Sequence, residues 1–379
     1  MSGAHVGIVG AGIVGLSHAL EAVDRGQRVT VFDRHAAAEG ASIRNFGMIW
    51  PIGQALLPSY ATALASRARW GRLATEAGVW LAARGSLHVA HEDDEMEVLR
   101  QFHDTATAAG IECRVLSAAE VMGRSPITNP VGLRGGLWSP TEAGVDPRSA
   151  VARIAHHLAT ACGVTFSFGT TVTAAAGGRV TTADGRTHGF DRIVVCGGAD
   201  VETLFPGFLA TAGIRRCKLQ MLATPPRAAG SGIGPFLAGG LTLRHYGNFA
   251  ACPALVRVCE RVARTAPELD RYGIHVMVAE DPVGRLVLGD SHEYDDEITP
   301  FDKQAIDDLI LRELRRIAVF PDWTVAERWH GIYGKHPALP IVRAEPDRGV
   351  FVRVGTGGAG MTMAFGLAAD DWDAWEGRS

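Results

Sequence analysis

The sequence predicts an α/β fold (α+β overall), in which a discontinuous, mostly parallel-sheet domain is joined to a second domain with a mostly antiparallel sheet. Three observations predict it: a glycine-rich strand, turn and helix at the start, a second such unit near the end, and long dissimilar segments between them. The 379 residues exceed the roughly 100–200 of a single domain. With 47% hydrophobic and 21% charged residues, the composition is that of a globular protein.

The N-terminal unit predicts a Rossmann-like dinucleotide site. The segment His5 to Leu16 indicates a buried strand that turns at Gly10 into a helix ending near Arg25, and Arg28 to Asp33 indicates a second strand. Glycines at these places allow the tight turn, the approach of a pyrophosphate and close helix packing. The acid at the end of the second strand favours NAD or FAD over NADP. A glycine-rich packing turn is the alternative. The candidate contacts are Gly10, Gly12, Ile13, Val14, Gly15, Asp33 and Arg34.

The next segment distinguishes the two dinucleotides. Gly40 to Pro51 forms a glycine-containing loop where an NAD domain would continue with a crossover helix. Together with the first motif it resembles the D-amino-acid oxidase, glycine oxidase and sarcosine oxidase superfamily of FAD-dependent amine oxidoreductases. The resemblance implies that this loop runs from the pyrophosphate to the flavin edge; a plain surface loop is the alternative. The residues it assigns to the cofactor are Ser42, Arg44, Asn45, Gly47 and Met48.

Later segments match the same family in the same order. Val164 to Val172 resembles the strand and loop beside the adenine, and Arg192 to Ala199 resembles the apolar strand that ends beside the cofactor. Gly349 to Gly355 indicates a strand that leads into a glycine turn and a helix through Trp375, whose N-terminal amides would stabilise a reduced flavin. The contacts implied are Val172, Gly197, Gly198, Gly357, Gly358, Ala359, Gly360, Met361 and Thr362.

FAD is therefore the expected cofactor. Sarcosine oxidases attach it through a cysteine in their C-terminal third, whereas no cysteine follows Cys259 here, so noncovalent binding is favoured, with attachment through a histidine left open. The predicted FAD-binding domain comprises residues 1–85, 146–212 and 326–379, and the substrate domain comprises residues 86–145 and 213–325. The strands expected in the substrate domain are Ser86–Ala90, Leu241–Phe249, Gly273–Glu280 and Arg285–Asp290. The helices expected to begin nearby start at Asp93, Pro147 and Thr299.

The second domain supplies candidate substrate residues. Period-two geometry in the predicted strand Leu241–Phe249 places Thr242, Arg244 and Tyr246 on one face, a solvent-facing surface being the alternative. Three more candidates, for which a core or rim position is the alternative, are His275, His292 and Glu293.

The stretch before the last strand departs from the family. Glycine and D-amino-acid oxidases hold the substrate carboxylate there with an arginine, but Trp329 to Pro337 has Tyr333 at that place. A simple amino-acid oxidase is therefore disfavoured. A tetrahedral dianion such as a phosphonate would instead be held by Lys335, Arg244, Tyr246 and Tyr333.

Three segments carry a finer resemblance. Ile43–Gln54, Leu243–Tyr246 and Gly289–Tyr294 resemble a bacterial branch of the superfamily associated with phosphonate utilisation. This implies oxidation of 2-aminoethylphosphonate, or an N-methyl or hydroxy derivative, by hydride transfer to flavin N5 and imine hydrolysis to an aldehyde. No catalytic residue is assigned, because the protein must mainly position the reacting carbon and exclude water. The alternatives are a glycine, sarcosine or D-amino-acid type oxidase and a non-catalytic flavin-binding protein.

The electron acceptor is oxygen or another molecule. Sarcosine oxidases place a lysine over flavin N5, and a gap-free alignment puts Val287 at that place, with Arg285 two residues earlier. The absence of that positive charge predicts a slow reaction with oxygen.

Charge and cysteine content argue against a nucleic-acid-binding protein and against a zinc site. The formal charge is 37 − 41 = −4 without a basic tail, which argues against nucleic acid as a partner. The six cysteines lack zinc-site spacing, so no metal site is predicted and reduced cytoplasmic thiols are expected.

The apolar start, Val6 to Leu16, has no basic flank and is shorter than the ~20 residues of a membrane span, so neither export nor a span is expected.

Overall fold

The structure is a computed structural model that describes residues 3–56, 58–228, 232–295 and 298–377. Its strands are β1 (His5–Val9), β2 (Arg28–Phe32), β3 (Met48–Ile49), β4 (Leu81–Ala82), β5 (Ser86–Ala90), β6 (Arg114–Ser117), β7 (Gly135–Ser139), β8 (Ala143–Val145), β9 (Thr165–Ser167), β10 (Val172–Ala176), β11 (Arg179–Thr182), β12 (Thr187–Gly189), β13 (Arg192–Val195), β14 (Arg215–Ala223), β15 (Phe236–Ala238), β16 (Met277–Glu280), β17 (Leu286–Gly289), β18 (Glu293–Tyr294), β19 (Glu327–Lys335), β20 (Val342–Asp347) and β21 (Val350–Val354). Its helices are α1 (Ile13–Asp24), α2 (Ser59–Glu76), α3 (Asp93–Ala108), α4 (Ala118–Arg124), α5 (Pro147–Thr160), α6 (Pro206–Leu209), α7 (Leu255–Thr265), α8 (Pro267–Arg271), α9 (Gln304–Ile317) and α10 (Gly360–Trp375).

The first large sheet has the order β20-β21-β13-β1-β2-β9. All of its pairings are parallel except that of β20 with β21. Its central strands are nearly continuous apolar runs, with Ile8, Val31, Val194 and Val352 buried, as expected when both faces of a sheet are covered. Helices pack on one face, and the small sheet β10-β11-β12 packs on the other. This sheet confirms the predicted Rossmann-like α/β core.

The second large sheet has the order β18-β14-β17-β16-β15-β5-β7-β6, and β19 pairs with β14. Its pairings are antiparallel except that of β15 with β5, which confirms the mostly antiparallel second sheet. The domain boundaries stay a prediction. β19 lies in this sheet although it belongs to the predicted third FAD segment, 326–379.

The prediction of a strand over Leu241–Phe249 is wrong. The chain instead forms short 3-10 turns at Gly240–Arg244 and Gly247–Phe249. The hydroxyl of Thr242 donates to the carbonyl of Gly239 over 2.6 Å, and its amide donates to the same oxygen over 3.0 Å. These local bonds compete with strand pairing. The period-two argument for Thr242, Arg244 and Tyr246 therefore does not apply.

Other predicted elements are confirmed with shifted ends. β5 and the start of α3 agree with the prediction, β16 and β17 are shorter, and α9 begins at Gln304 rather than Thr299. Pro147 opens α5, and the Asp146 side chain accepts a hydrogen bond from the Arg148 amide over 3.2 Å. None of the described helices is both long and apolar enough to cross a membrane.

A buried ion cluster attaches α10 to the first sheet. The carboxylate of Asp371, which is 4% exposed, accepts from Nε of Arg353 and from Nε of Arg343, each over 2.7 Å. Nε2 of His18 on α1 lies 3.8 Å from the same carboxylate. Burial lowers the pKa of His18 to about 4, so this imidazole is neutral at pH 7. The cluster holds α10, α1 and the strands β20 and β21 together.

We predict that Asp371→Asn destabilises the protein by about 3–5 kcal/mol, because it leaves the buried Arg353 guanidinium without its counter-charge. The matched control is Asp373→Asn, two residues away, whose carboxylate is 46% exposed and pairs with Arg25; its expected effect is about 0–1 kcal/mol. Thermal unfolding followed by circular dichroism measures both. Equal melting temperatures for the two variants would show that the buried cluster contributes no more than a surface pair.

Candidate active site

The first glycine turn has two positions that exclude a side chain. Gly10 has φ +105°, and a Cβ there would lie 2.3 Å from the carbonyl oxygen of Cys196. A Cβ on Gly15 would lie 1.8 Å from the carbonyl oxygen of Gly10. The turn and the start of α1 can therefore pack closely only with glycine at these two places.

Asp33 is fixed at the edge of this turn. Its Oδ2 accepts a hydrogen bond from the amide of Ala11 over 2.7 Å, and its Oδ1 accepts one from the amide of His35 over 2.9 Å. Each carboxylate oxygen has two lone pairs, so both keep accepting capacity for the hydroxyls of a ribose. The carboxylate is thus already oriented by the backbone.

The loop after β2 contacts both α1 and β19. The hydroxyl of Ser42 accepts from the amide of Ile13 over 2.9 Å, at the first turn of α1. Nη1 of Arg44 donates to the carbonyl of His330 over 3.3 Å. The loop therefore runs from the first glycine turn to the strand that carries Tyr333.

Asn45 shapes this loop from within. Its Nδ2 donates to the carbonyl of Ala41 over 2.8 Å, and its Oδ1 accepts from the amide of Gly47 over 2.7 Å. Gly47 has φ +72°, and a Cβ there would lie 2.0 Å from the carbonyl of Val145. Met48 then enters β3. The side-chain groups of Asn45 are thus used in folding the loop.

The second glycine turn brings the start of α10 next to the start of α1. A Cβ on Gly360 would lie 3.7 Å from Cγ2 of Ile13. Neither helix has a side-chain cap from its N-cap residue or an acidic residue in its first turn. Both N-termini therefore present amides and partial positive charge without a neutralising group of their own.

Two residues of α10 that were predicted to contact FAD form hydrogen bonds within the protein. The hydroxyl of Thr362 accepts from the amide of Trp50 over 2.9 Å, and the carbonyl of Met361 accepts from Nε1 of Trp70 over 2.8 Å. Both residues are buried. Gly357, with φ +59°, and Gly358 precede them in the turn.

The remaining predicted FAD contacts follow β2 or β13 or begin β10. Arg34 forms an ion pair with Asp200, in the loop after β13 that contains Gly197 and Gly198. Val172 is buried at the start of β10. The roles of these residues, and of Gly12, Val14 and Ala359, stay predictions.

These residues fit FAD. Two side-chain-free turns, two unneutralised helix N-termini and an oriented carboxylate lie at one edge of the first sheet, where its parallel strands end, and a dinucleotide needs close backbone approach, anion stabilisation and a ribose acceptor. When bound there, FAD supplies the ring that accepts a hydride.

The second sheet meets the second glycine turn through β19. Lys335 forms an isolated antiparallel bridge with Thr356. A Cβ on Gly357 would lie 3.3 Å from Cγ of Lys335, and one on Gly358 would lie 3.5 Å from the hydroxyl of Tyr333. Tyr333 and Lys335, two predicted substrate residues, are therefore adjacent to the turn predicted to face the flavin.

Lys335 differs from the other two lysines in its partners. Its Nζ lies 3.5 Å from the hydroxyl of Tyr294 and, within the described ranges, has no carboxylate in salt-bridge distance. Lys218 pairs with Asp302 over 2.9 Å, and Lys303 pairs with Glu293. The Lys335 ammonium is thus the lysine charge left for an anionic ligand, so far as the structure is described. The partner of Lys303 also gives Glu293, another sequence candidate, a structural role.

A cluster of aromatic and imidazole rings extends from Tyr333. The ring centroid of His292 lies 6.5 Å from that of Tyr333, and His275 lies 5.0 Å from His292. Tyr246 lies 6.1 Å from His275 and stacks on Trp50 at 6.4 Å. Burial raises the pKa values of Tyr246 and Tyr333, so both hydroxyls are neutral donors.

Some of the substrate residues that the sequence predicted are already paired or buried within the protein. Arg244 forms an ion pair with Asp270, although it lies near enough to lower the pKa of His275 after the larger effects of burial and His292. Thr242 is buried. The sequence analysis missed His245, which lies between the two 3-10 turns that form in place of the predicted strand. Its ring lies 4.0 Å from that of His275.

Comparisons with known proteins identify the family of this chain and support its fold. The sequence matches the family described as FAD dependent oxidoreductase (DAO) over residues 5–370. The fold is similar to the crystal structure of glycine oxidase from Geobacillus kaustophilus, with TM-score 0.79 and 19% identity over 99% of this chain and 96% of that chain.

Two further solved structures are similar. L-proline dehydrogenase from P. horikoshii gives TM-score 0.78 and 18% identity over 100% of this chain and 95% of that one. The second is dithionite-reduced L-alpha-glycerophosphate oxidase from Mycoplasma pneumoniae, with FAD bound. It gives TM-score 0.74 and 19% identity over 99% of this chain and 95% of that chain. At these identities the structures support the fold, while the family match covers nearly the whole sequence. The chain therefore belongs to the DAO family of FAD-dependent oxidoreductases, and FAD is its cofactor.

Proposed function

We propose that the protein oxidises the C–N bond of a small aminophosphonate, such as 2-aminoethylphosphonate or an N-methyl or hydroxy derivative. The observation that carries the proposal is the position of Lys335 beside the second glycine turn, without a carboxylate partner among the described residues. A substrate anion held there would lie next to the flavin. Tyr333 occupies the place where the family resemblance implies a carboxylate-binding arginine.

A phosphonate suits these groups better than a carboxylate does. An arginine binds a planar carboxylate through two parallel N–H donors, whereas an ammonium is a point charge that accepts any direction of approach. The neutral hydroxyl of Tyr333 adds a single donor. A tetrahedral dianion offers three oxygens to such separated donors.

The rest of the site positions the amine-bearing carbon and excludes water. Tyr246 and Trp50 form an aromatic wall, and the Tyr246 hydroxyl contacts Sδ of Met277 at 3.3 Å. Trp50 is held by its bond to Thr362 in the first turn of α10. The wall therefore has a fixed position relative to the turn predicted to face the flavin, as hydride transfer requires.

The names of the similar structures are compatible with this proposal. Glycine oxidase and proline dehydrogenase are named for amino acids, and glycerophosphate oxidase is named for a phosphate-bearing compound. An oxidase of glycine, sarcosine or a D-amino acid is the second candidate, supported by the fold alone. A flavin-binding protein without a substrate is the third.

We predict that an aminophosphonate reduces the bound flavin with a higher kcat/KM than glycine, sarcosine or D-alanine. Lys335→Met should lower this kcat/KM roughly 10–150-fold, because a hydrogen bond to a charged group contributes ~1.5–3 kcal/mol. Anaerobic stopped-flow absorbance measures flavin reduction directly.

Two controls make this test specific to charge. Lys335→Arg should recover most of the activity, and propylamine, which lacks the anion, should react with similar low efficiency in wild type and Lys335→Met. The proposal fails if D-alanine or sarcosine is the best substrate, or if both amines lose activity equally in Lys335→Met. A flavin that no amine reduces would favour the binding-protein alternative.

The strand β17 bears on the electron acceptor. Val287 lines a crevice together with Asn45 and Phe46 of the loop predicted to reach the flavin edge. Nε of Arg285 donates to Asp281 over 2.6 Å and its Nη1 donates to Glu327 over 2.5 Å. The positive charge of Arg285 is thus already paired, and it does not replace the lysine that sarcosine oxidases use.

We predict a slow reaction of the reduced flavin with oxygen, which Val287→Lys should accelerate at least about fivefold, since a charge ~4 Å away contributes on the order of 1 kcal/mol or more. Photoreduced protein mixed with oxygenated buffer in a stopped-flow instrument measures this step without substrate. Val287→Met is the control of similar length without the charge. Equal acceleration by both variants would assign the effect to packing, and a fast wild-type reaction unchanged by Arg285→Ala would show that another group activates oxygen.

A further inference from the structure

Three histidines from distant parts of the chain meet next to Tyr333. One ring nitrogen from each of His245, His275 and His292 lies within 4.8 Å of the other two. The ring centroids are 4.0 Å apart for His245 and His275, 4.3 Å for His245 and His292, and 5.0 Å for His275 and His292. We call these three residues the histidine cluster.

The outer nitrogens of two rings face acceptors. Nδ1 of His292 lies 3.1 Å from the carbonyl oxygen of Gly273, to which it donates in the tautomer that carries a proton there. Nε2 of His275 lies 3.1 Å from Oδ1 of Asp290, although not at a hydrogen-bonding angle. Histidines that bind metals usually donate their second N–H to a backbone carbonyl or a carboxylate. The contact with Gly273 leaves Nε2 of His292 for a shared ligand, and both nitrogens of His275 are without a hydrogen-bond partner among the described residues.

His275 itself lacks a hydrogen-bond partner. It is 3% exposed, and neither of its ring nitrogens is hydrogen-bonded to any described residue. Oδ1 of the buried Asp290 is also without a hydrogen-bond partner in this part of the chain. Buried polar groups normally have partners, so an unpartnered imidazole and carboxylate side by side indicate a missing ligand.

The charge around the cluster suits a cation only in part. Burial lowers the pKa values of all three histidines, so their imidazoles are neutral and each has a lone pair to donate. The Lys335 ammonium opposes a cation, since it also lowers these pKa values. Burial raises the pKa of Asp290, which lies 3.1 Å from His275, well above its usual range, so this side chain would offset that charge only in its ionised form.

We propose that the histidine cluster binds a divalent first-row transition metal ion such as Zn²⁺. Metal–nitrogen bonds of about 2.1 Å place the ligating nitrogens about 3–3.4 Å apart, so the rings must move together by up to about 1.5 Å on binding. Three protein ligands leave at least one position for water or another oxygen ligand. The site does not depend on which amine is oxidised.

The test is a Zn²⁺ titration of the FAD-loaded protein after treatment with a chelator and dialysis. Isothermal titration calorimetry should show equimolar binding in the wild type. His275→Gln and His292→Gln should each weaken it at least tenfold, and Asp290→Asn should weaken it about 10–100-fold, as loss of a partner that orients a ligand does. His88→Gln is the matched control, because His88 is equally buried, lacks hydrogen-bond partners in the described structure and lies among aromatic rings.

Flavin absorbance reports folding of every variant. If His275→Gln loses its flavin, X-ray absorption of wild-type protein loaded with Zn²⁺ gives the number of imidazole ligands directly, and fewer than three overturns the proposal. No Zn²⁺ binding, or equal binding after substitution of both His275 and His292, also overturns it. Inorganic phosphate that binds the metal-free protein and is lost with the same substitutions, without Zn²⁺ binding, would assign the cluster to anion recognition instead.

Discussion

The parallel alignment of β1, β13 and β21 places the N-termini of α1 and α10 side by side at one edge of the sheet. Gly360 of α10 and Ile13 of α1 are neighbours, so the two helix N-termini bring partial positive charges together. Neither first turn contains an acidic residue that would neutralise these charges. A negative group between them relieves this repulsion. The pyrophosphate and the reduced ring of FAD supply such groups, so this electrostatic constraint links the fold to its cofactor.

The substrate side of the site depends on the same helix. Lys335 bridges to Thr356 at one end of the ring cluster, and Trp50 bonds to Thr362 at the other, so both ends are attached around the first turn of α10. Farther along α10, Asp371 binds the guanidinium of Arg353 on β21. A shift of this helix would therefore move the second glycine turn, which is predicted to face the flavin, together with the proposed anion site.

The sequence was most informative where a local steric or spacing rule decides the structure. Gly10 and Gly15 leave no room for a side chain, and Tyr333 and Lys335 lie two residues apart on one strand, so their positions follow from the motif. The turns around Thr242 were not predictable from alternation, because its bonds to Gly239 replace strand pairing. The histidine cluster was not predictable either, since its members come from separate segments that only tertiary packing brings together.

The central claim, that both glycine turns bind one FAD, is tested most directly by reconstituting the apoprotein with FAD and measuring affinity by fluorescence. We expect equimolar FAD that is released on acid denaturation, with at least about tenfold weaker binding in both Asp33→Ala and Gly358→Asp, since each disturbs a contact to a charged or strongly polar group. Gly123→Asp in α4, where a Cβ has nothing within 4 Å, should bind like the wild type. Recovery of NAD alone, or undiminished FAD affinity in Gly358→Asp, would contradict the account.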